Sequence, residues 1–222
     1  MELPKRALVI APHPDDEVLG AGGTIARLVE SGTDVSVLVI SGHLPPLYDK
    51  ESFEVTKREA ERAFKTLGVH HFKFLKIPAT MVNQVPIAEL NGMISRFVRE
   101  VKPNWVFLPF PDRHVDHRVI FDSSVVACRP VGIDPPQVVL SYETLSETHW
   151  NVPGVEPAFV PEFFIDISQQ LDKKTSALAE YESQLSNNPS RSVGAVTALA
   201  YFRGSQNGCL YAEAFKVVRI VF

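Results

Sequence analysis

Cysteine is nearly missing. Cys128 and Cys209 are the only two in 222 residues, and no Cys-x-x-Cys spacing occurs. That argues against a disulfide-stapled fold and a thiolate metal site, and leaves two isolated thiols for the interior. Basic blocks are absent as well. With 22 Lys and Arg against 26 Asp and Glu the net charge is −4, which argues against nucleic acid as a partner. No apolar run approaches the roughly 18 residues of a membrane span. The opening Met1-Glu2-Leu3-Pro4-Lys5-Arg6 carries no signal-like apolar stretch, so cytoplasmic residence is expected. Internal repeats and low-complexity tracts are also lacking.

What remains is an ordinary globular composition, 45% hydrophobic and 22% charged, at a length that suits one large domain with a substantial core. Short apolar runs at 7–10, 35–40, 72–77, 105–108 and 138–140 read as strands. Helical periodicity covers 18–30, 53–67, 85–101 and 114–126, and Gly68 is placed to end the second helix. This alternation predicts an α/β fold: a Rossmann-like, three-layer α/β/α sandwich around a mostly parallel sheet. The remainder is less regular. A Pro-rich loop is expected at 150–161, an edge or antiparallel strand at 163–167, and helices at 168–185, with Ser168 as N-cap, and at 193–203. A last strand is expected within 211–222. The chain reads as one domain over 1–222, with a parallel core at 1–141 and a segment at 142–222 that completes it and shapes the substrate site.

Two clusters stand out, each directly after an apolar strand and at the start of a helix. The first is Ala11-Pro12-His13-Pro14-Asp15-Asp16-Glu17. The second is Asp112-Arg113-His114-Val115-Asp116-His117-Arg118. If both strands are central in one parallel sheet, both turns open on the same edge, where α/β folds bind ligands. His13, Asp16 and His117 then form a two-histidine, one-carboxylate set, the kind that holds catalytic zinc and leaves a position for water. Asp15, diverging from Asp16, is placed to accept a proton from that water. His114, as an imidazolium, is placed to stabilise an oxyanion. Asp116 is placed to orient His114 or His117.

Pro12-His13-Pro14-Asp15-Asp16-Glu17, followed by Gly20 and Gly22-Gly23, resembles the first signature of the PIG-L/LmbE family of zinc-dependent deacetylases. His114-Val115-Asp116-His117 resembles the second. Glu59, Ala63 and Leu67-Gly68, Tyr142-Glu143 and Ala212-Glu213-Ala214-Phe215 are similar to further family tracts, so the likeness covers most of the chain. The resemblance implies His13, Asp16 and His117 as ligands of Zn2+ or another divalent ion. It also implies Asp15 as general base, His114 as stabiliser of the tetrahedral intermediate and Asp116 as its supporting carboxylate. The implied reaction removes an acetyl or other N-acyl group from an N-acetylglucosamine-type substrate. Where many members carry a substrate-side arginine, this chain has Thr56, with Lys57 and Arg58 beside it. Arg58 and His43 are the candidate substrate contacts.

Two other readings stay open: an amidase of a larger N-acyl or thiol conjugate, and a non-enzymatic metabolite-binding module. Gly20-Ala21-Gly22-Gly23 does not support a dinucleotide site, because Ile25 holds the third glycine's position. These glycines read instead as close packing of the first helix on the sheet. Self-association is compatible with the sequence. His149, Arg191 and Arg203 are each read as a substrate contact or a packing or surface residue.

Overall fold

The computed structural model describes residues 2–132, 134–185 and 189–221. Its strands are β1 (Arg6–Ala11), β2 (Asp34–Gly42), β3 (His71–Pro78), β4 (Trp105–Pro109), β5 (Val138–Tyr142), β6 (Phe163–Asp166) and β7 (Ala212–Ile220). Its helices are α1 (Asp16–Glu30), α2 (Ser52–Leu67), α3 (Ile87–Val101), α4 (Val115–Ala127), α5 (Leu171–Ala179), α6 (Glu182–Leu185) and α7 (Val193–Ser205).

Alternation along the central strands divides two cores. Ala7, Val9 and Ala11 of β1, with Trp105 and Phe107 of β4, join one core with α1, α2, α5 and α7. Leu8, Ile10, Val106 and Leu108 join the other, against α3 and α4. Strands buried on both faces appear in sequence as unbroken apolar runs. Each such side chain contributes about 1.5–3 kcal/mol on full burial, so the middle of the sheet is its most firmly held part.

The seven strands lie in the order β3-β2-β1-β4-β5-β7-β6. β1 to β5 pair in parallel. β7 runs antiparallel between β5 and β6. The result is the expected three-layer, mostly parallel α/β/α class. β1 lies between β2 and β4, so the strand order reverses there. The turns after β1 and β4 therefore open side by side at the carboxyl edge, the switch point where such folds bind ligands.

Two details differ from the sequence reading. The helix expected over 168–185 is two, α5 and α6. Between them the ladder tightens, with Glu180 N–H donating to Ala177 O and Tyr181 N–H to Leu178 O. Ser168 is not the N-cap. Its hydroxyl donates to Asp166 Oδ1 at 2.6 Å and accepts from Tyr211 N–H at 3.1 Å, tying β6 to the entry of β7. The expected last strand is β7; Phe222 lies outside the described residues. Cys128 is buried and Cys209 half-buried, both as free thiols. Among the described residues no helix is long and apolar enough to cross a membrane.

Candidate active site

The turn after β1 is shaped by Asp15. It sits at φ 111 immediately before α1, a region rarely occupied by a residue with a side chain. Its carbonyl accepts the first α1 bonds, from Val18 N–H at 3.0 Å and Leu19 N–H at 2.9 Å. Glu17 Oε2 accepts the Asp15 N–H at 3.3 Å, and the Tyr181 hydroxyl donates to Glu17 Oε1. The positive end of α1 thus faces Asp15 and Asp16. After β4, His114 caps α4, its Nδ1 accepting from Asp116 N–H at 3.2 Å.

The two turns meet on Asp16. Its Oδ2 lies 3.1 Å from His13 Nδ1 and 3.3 Å from His117 Nε2. Each imidazole has its other nitrogen on a buried carboxylate. His13 Nε2 donates to Asp116 Oδ2 at 2.9 Å, and His117 Nδ1 to Asp112 Oδ2 at 3.0 Å. Those bonds leave His13 Nδ1 and His117 Nε2 facing Asp16, and in a neutral ring these are the nitrogens that carry the lone pair. His117 Nε2 is buried with no hydrogen-bond partner among the described residues. Two imidazole nitrogens and a carboxylate oxygen thus face one point, which a proton or a cation can bridge. The two separations from Asp16 suit edges of a tetrahedron with metal–ligand bonds of about 2.0–2.1 Å. His114 also approaches, since one nitrogen from each of His13, His114 and His117 fits within 4.8 Å of the others. It differs from the other two in having no carboxylate behind it.

The electrostatics show the same demand for positive charge. Burial works against a charged His13, but Asp116 and Asp16 outweigh it and raise the pKa to about 9. His117 likewise rises to about 10, with Asp16 and Asp112 overcoming burial. Asp16 is held well below the carboxylate range, its desolvation outweighed by the imidazoles of His117 and His13. Burial pushes Asp15 up to about 7, opposed by the Arg191 guanidinium. Burial, with His13 and His117 adding, lowers His114 to about 4. His114 is therefore neutral near pH 7. Because Nδ1 accepts the cap bond, Nε2 carries the proton. The expectation of an imidazolium at His114 is corrected to a neutral N–H donor.

The support residues also differ from expectation. Asp116 does not orient His114 or His117 through its carboxylate; it backs His13 and also accepts Thr80 N–H at 2.7 Å. Asp112, given no role in the sequence reading, is the hub behind His117. It takes the Thr148 hydroxyl at 2.8 Å and, through Oδ1, the His114 N–H at 2.9 Å. Its position five residues before His117, just past an apolar strand, was the available signal. Arg191 pairs with Asp15 at 3.1 Å and with Glu147 at 3.5 Å. Arg203 is buried on Glu143, with bonds of 2.8 and 2.7 Å, and His149 closes on the same carboxylate at 3.2 Å. Arg203 is thus a packing residue, whereas His149 is exposed beside Glu143.

His43 and Thr56 line a cavity of about 460 Å3 between the loop after β2, the start of α2 and α6. Burial, with His13 and Arg191 nearby, lowers His43 to about 4. Arg58 is not in this wall. It is exposed on α2, because two residues beyond Thr56 the helix has turned well away.

Histidines and carboxylates gathered at the switch point of a parallel sheet make a candidate metal site. The profile of the PIG-L family, described as GlcNAc-PI de-N-acetylase, matches residues 8–128. That is more than half of the chain and includes both turns; the chain belongs to this family. It is 28% identical over 229 residues to the diacetylchitobiose deacetylase of Thermococcus kodakarensis, covering 98% of this chain and 85% of that protein. It is 26% identical to a probable N-acetyl-alpha-D-glucosaminyl L-malate deacetylase 2 of Bacillus cereus, covering 81% and 84%. In structure it is similar to the conserved protein TT1542 of Thermus thermophilus, with a TM-score of 0.77 and 29% identity over 97% of this chain and 96% of that one.

Proposed function

We propose that this chain is a divalent-metal-dependent N-deacetylase that hydrolyses the acetamide of an N-acetylglucosamine-type sugar. The observation that carries this reading is Asp16 Oδ2 set between His13 Nδ1 and His117 Nε2, at 3.1 and 3.3 Å. Sequence relatives named as deacetylases of N-acetylated sugars support it. His13, Asp16 and His117 would hold the ion, and their N and O donors suit zinc, with other divalent ions competing by availability. When bound, the ion supplies Lewis acidity to the amide carbonyl and to water.

The chain's own groups divide the remaining work. Asp15 takes a proton from the attacking water as its oxygen bonds to the amide carbon. His114 Nε2–H donates to the carbonyl oxygen as that oxygen becomes negative. The C–N bond then breaks, and Asp15 passes its proton to the departing nitrogen, leaving acetate and a free amine. Asp112 and Asp116 keep His117 and His13 in their ligating tautomers.

The test is release of acetate and free amine in equal amounts from N-acetylglucosamine and its disaccharide, with zinc content measured on the same sample. Asp15→Asn is expected to keep the metal and lose at least about a hundredfold in kcat, the typical share of a general base. Unchanged turnover in that variant would contradict the role of Asp15. Metal-loaded protein that releases no amine from any N-acetyl amino sugar would contradict the reading as a whole.

A further inference from the structure

The helix that Asp15 opens does not set the direction of its carboxylate. An Asp at a helix N-terminus ordinarily turns its side chain onto the first free N–H groups. Asp15 makes no such bond. It is also buried, at 2% exposure, and a carboxylate so placed is costly unless another group pairs with it. That group is Arg191, whose Nη1 donates to Asp15 Oδ2 at 3.1 Å. Among the described residues it is the one hydrogen-bond donor on this carboxylate.

The guanidinium is itself held at two further points. Its Nε donates to the Ser146 hydroxyl oxygen at 3.1 Å, and its Nη2 lies 3.5 Å from Glu147 Oε1. Three contacts in different directions use the planar fork as a rigid bracket, which a lysine ammonium does not reproduce. The loop that carries both anchors is fixed in turn. Ser146, at φ 77, takes Trp150 N–H on its carbonyl at 2.9 Å. Thr148 donates to Asp112 Oδ2 at 2.8 Å. On the other side, Arg191 ends the short turn Pro189–Arg191 directly before α7. There Ser192 caps the helix by accepting Ala195 N–H at 3.1 Å. The loop after β5 thus reaches the acid behind His117 through Thr148, and Asp15 through Arg191. Ser146, Glu147, Thr148 and Arg191 all lie beyond residues 8–128, the stretch that the family profile matches.

Resting on the deacetylase reading above, we propose that Arg191 is the positioning residue for the general base. It holds the Asp15 carboxylate in the orientation that meets the attacking water, and it acts on turnover through Asp15 rather than through metal or substrate binding.

The test is a double-mutant cycle on the zinc-loaded protein, read as acetate release from N-acetylglucosamine and its disaccharide. Arg191→Ala is expected to lower kcat by at least about tenfold with KM within about twofold, the cost of a misaligned group, and to keep its zinc. In the Asp15→Asn background the same substitution is expected to change kcat by less than about twofold, because the group it positions is already gone. Arg191→Lys is expected to fall between Arg191→Ala and the unaltered protein, and it carries the same cycle if Arg191→Ala does not fold. In crystals of Arg191→Ala the Asp15 carboxylate is expected to turn from its present orientation while His13, Asp16 and His117 stay in place. Unchanged kcat in Arg191→Ala, an equal loss in both backgrounds, or a loss confined to KM would overturn the proposal. No acetate from the unaltered zinc-loaded protein would instead overturn the deacetylase reading beneath it.

Discussion

At the scale of single residues, two carboxylates stand behind the histidines of the proposed metal site. Asp112 and Asp116 each hold the far nitrogen of one histidine. Removing such a partner typically costs about 10–100-fold in metal affinity. Asp112→Asn and Asp116→Asn are therefore expected to weaken zinc binding by that factor in chelator competition, whereas His114→Ala leaves it nearly unchanged and lowers kcat by about a hundredfold or more. A His114→Ala protein that loses its metal would place His114 among the ligands instead. That His13, Asp16 and His117 meet was legible from sequence, because each falls at or just before the start of a helix that follows an apolar strand. The pairing of Asp116 with His13 was not. It depends on how closely the β1 and β4 turns approach, and on Thr80, held at φ 67 with its N–H on Asp116, a contact between residues 36 apart.

At the scale of elements, α1 carries the first turn and must lie close to the sheet. Gly20 permits this. A Cβ there would overlap the ring of Tyr142, whose hydroxyl donates to Ile10 O at 2.8 Å. Gly20→Ala is expected to destabilise the fold by about 1–3 kcal/mol, the usual cost of overpacking, as read from urea unfolding. A change below about 0.5 kcal/mol, ordinary for an unconstrained site, would show that Tyr142 yields freely. The strands and first four helices were legible because two-sided burial and amphipathic periodicity repeat over many residues. The break between α5 and α6 was not, because the apolar pattern runs through it. The cause is long-range: Tyr181 is fully buried with its hydroxyl on Glu17, and Glu180 is held by Arg62 at 2.7 Å.

At the scale of the whole molecule, seven strands in one sheet bring residues 13 and 117 to a common edge, and the buried acids there link stability to pH. Burial raises Glu17 to about 8 from 4.5, against the opposing Tyr181 hydroxyl bond. Below about 4.5 Glu17 is protonated in both the folded and the unfolded chain, and its contribution is complete. Between 4.5 and about 8 the unfolded chain loses that proton while the folded one keeps it, so stability falls as pH rises. In metal-stripped protein, Glu17→Gln is expected to flatten this decline, measured by denaturant unfolding across the range. Parallel curves for the two proteins would reject the assignment. The parallel core and its switch point were legible from strand order alone. The antiparallel end was not fully so, because β7 inserts between β5 and β6 and pairing order is not encoded in periodicity.

The most direct measurement is anomalous diffraction from zinc-loaded crystals. The account predicts one ion at about 2.0–2.2 Å from His13 Nδ1, Asp16 Oδ2 and His117 Nε2, with the His114 Nε2 proton left free to donate. An ion held by the three imidazoles with Asp16 turned away, or bound elsewhere in the chain, would contradict it.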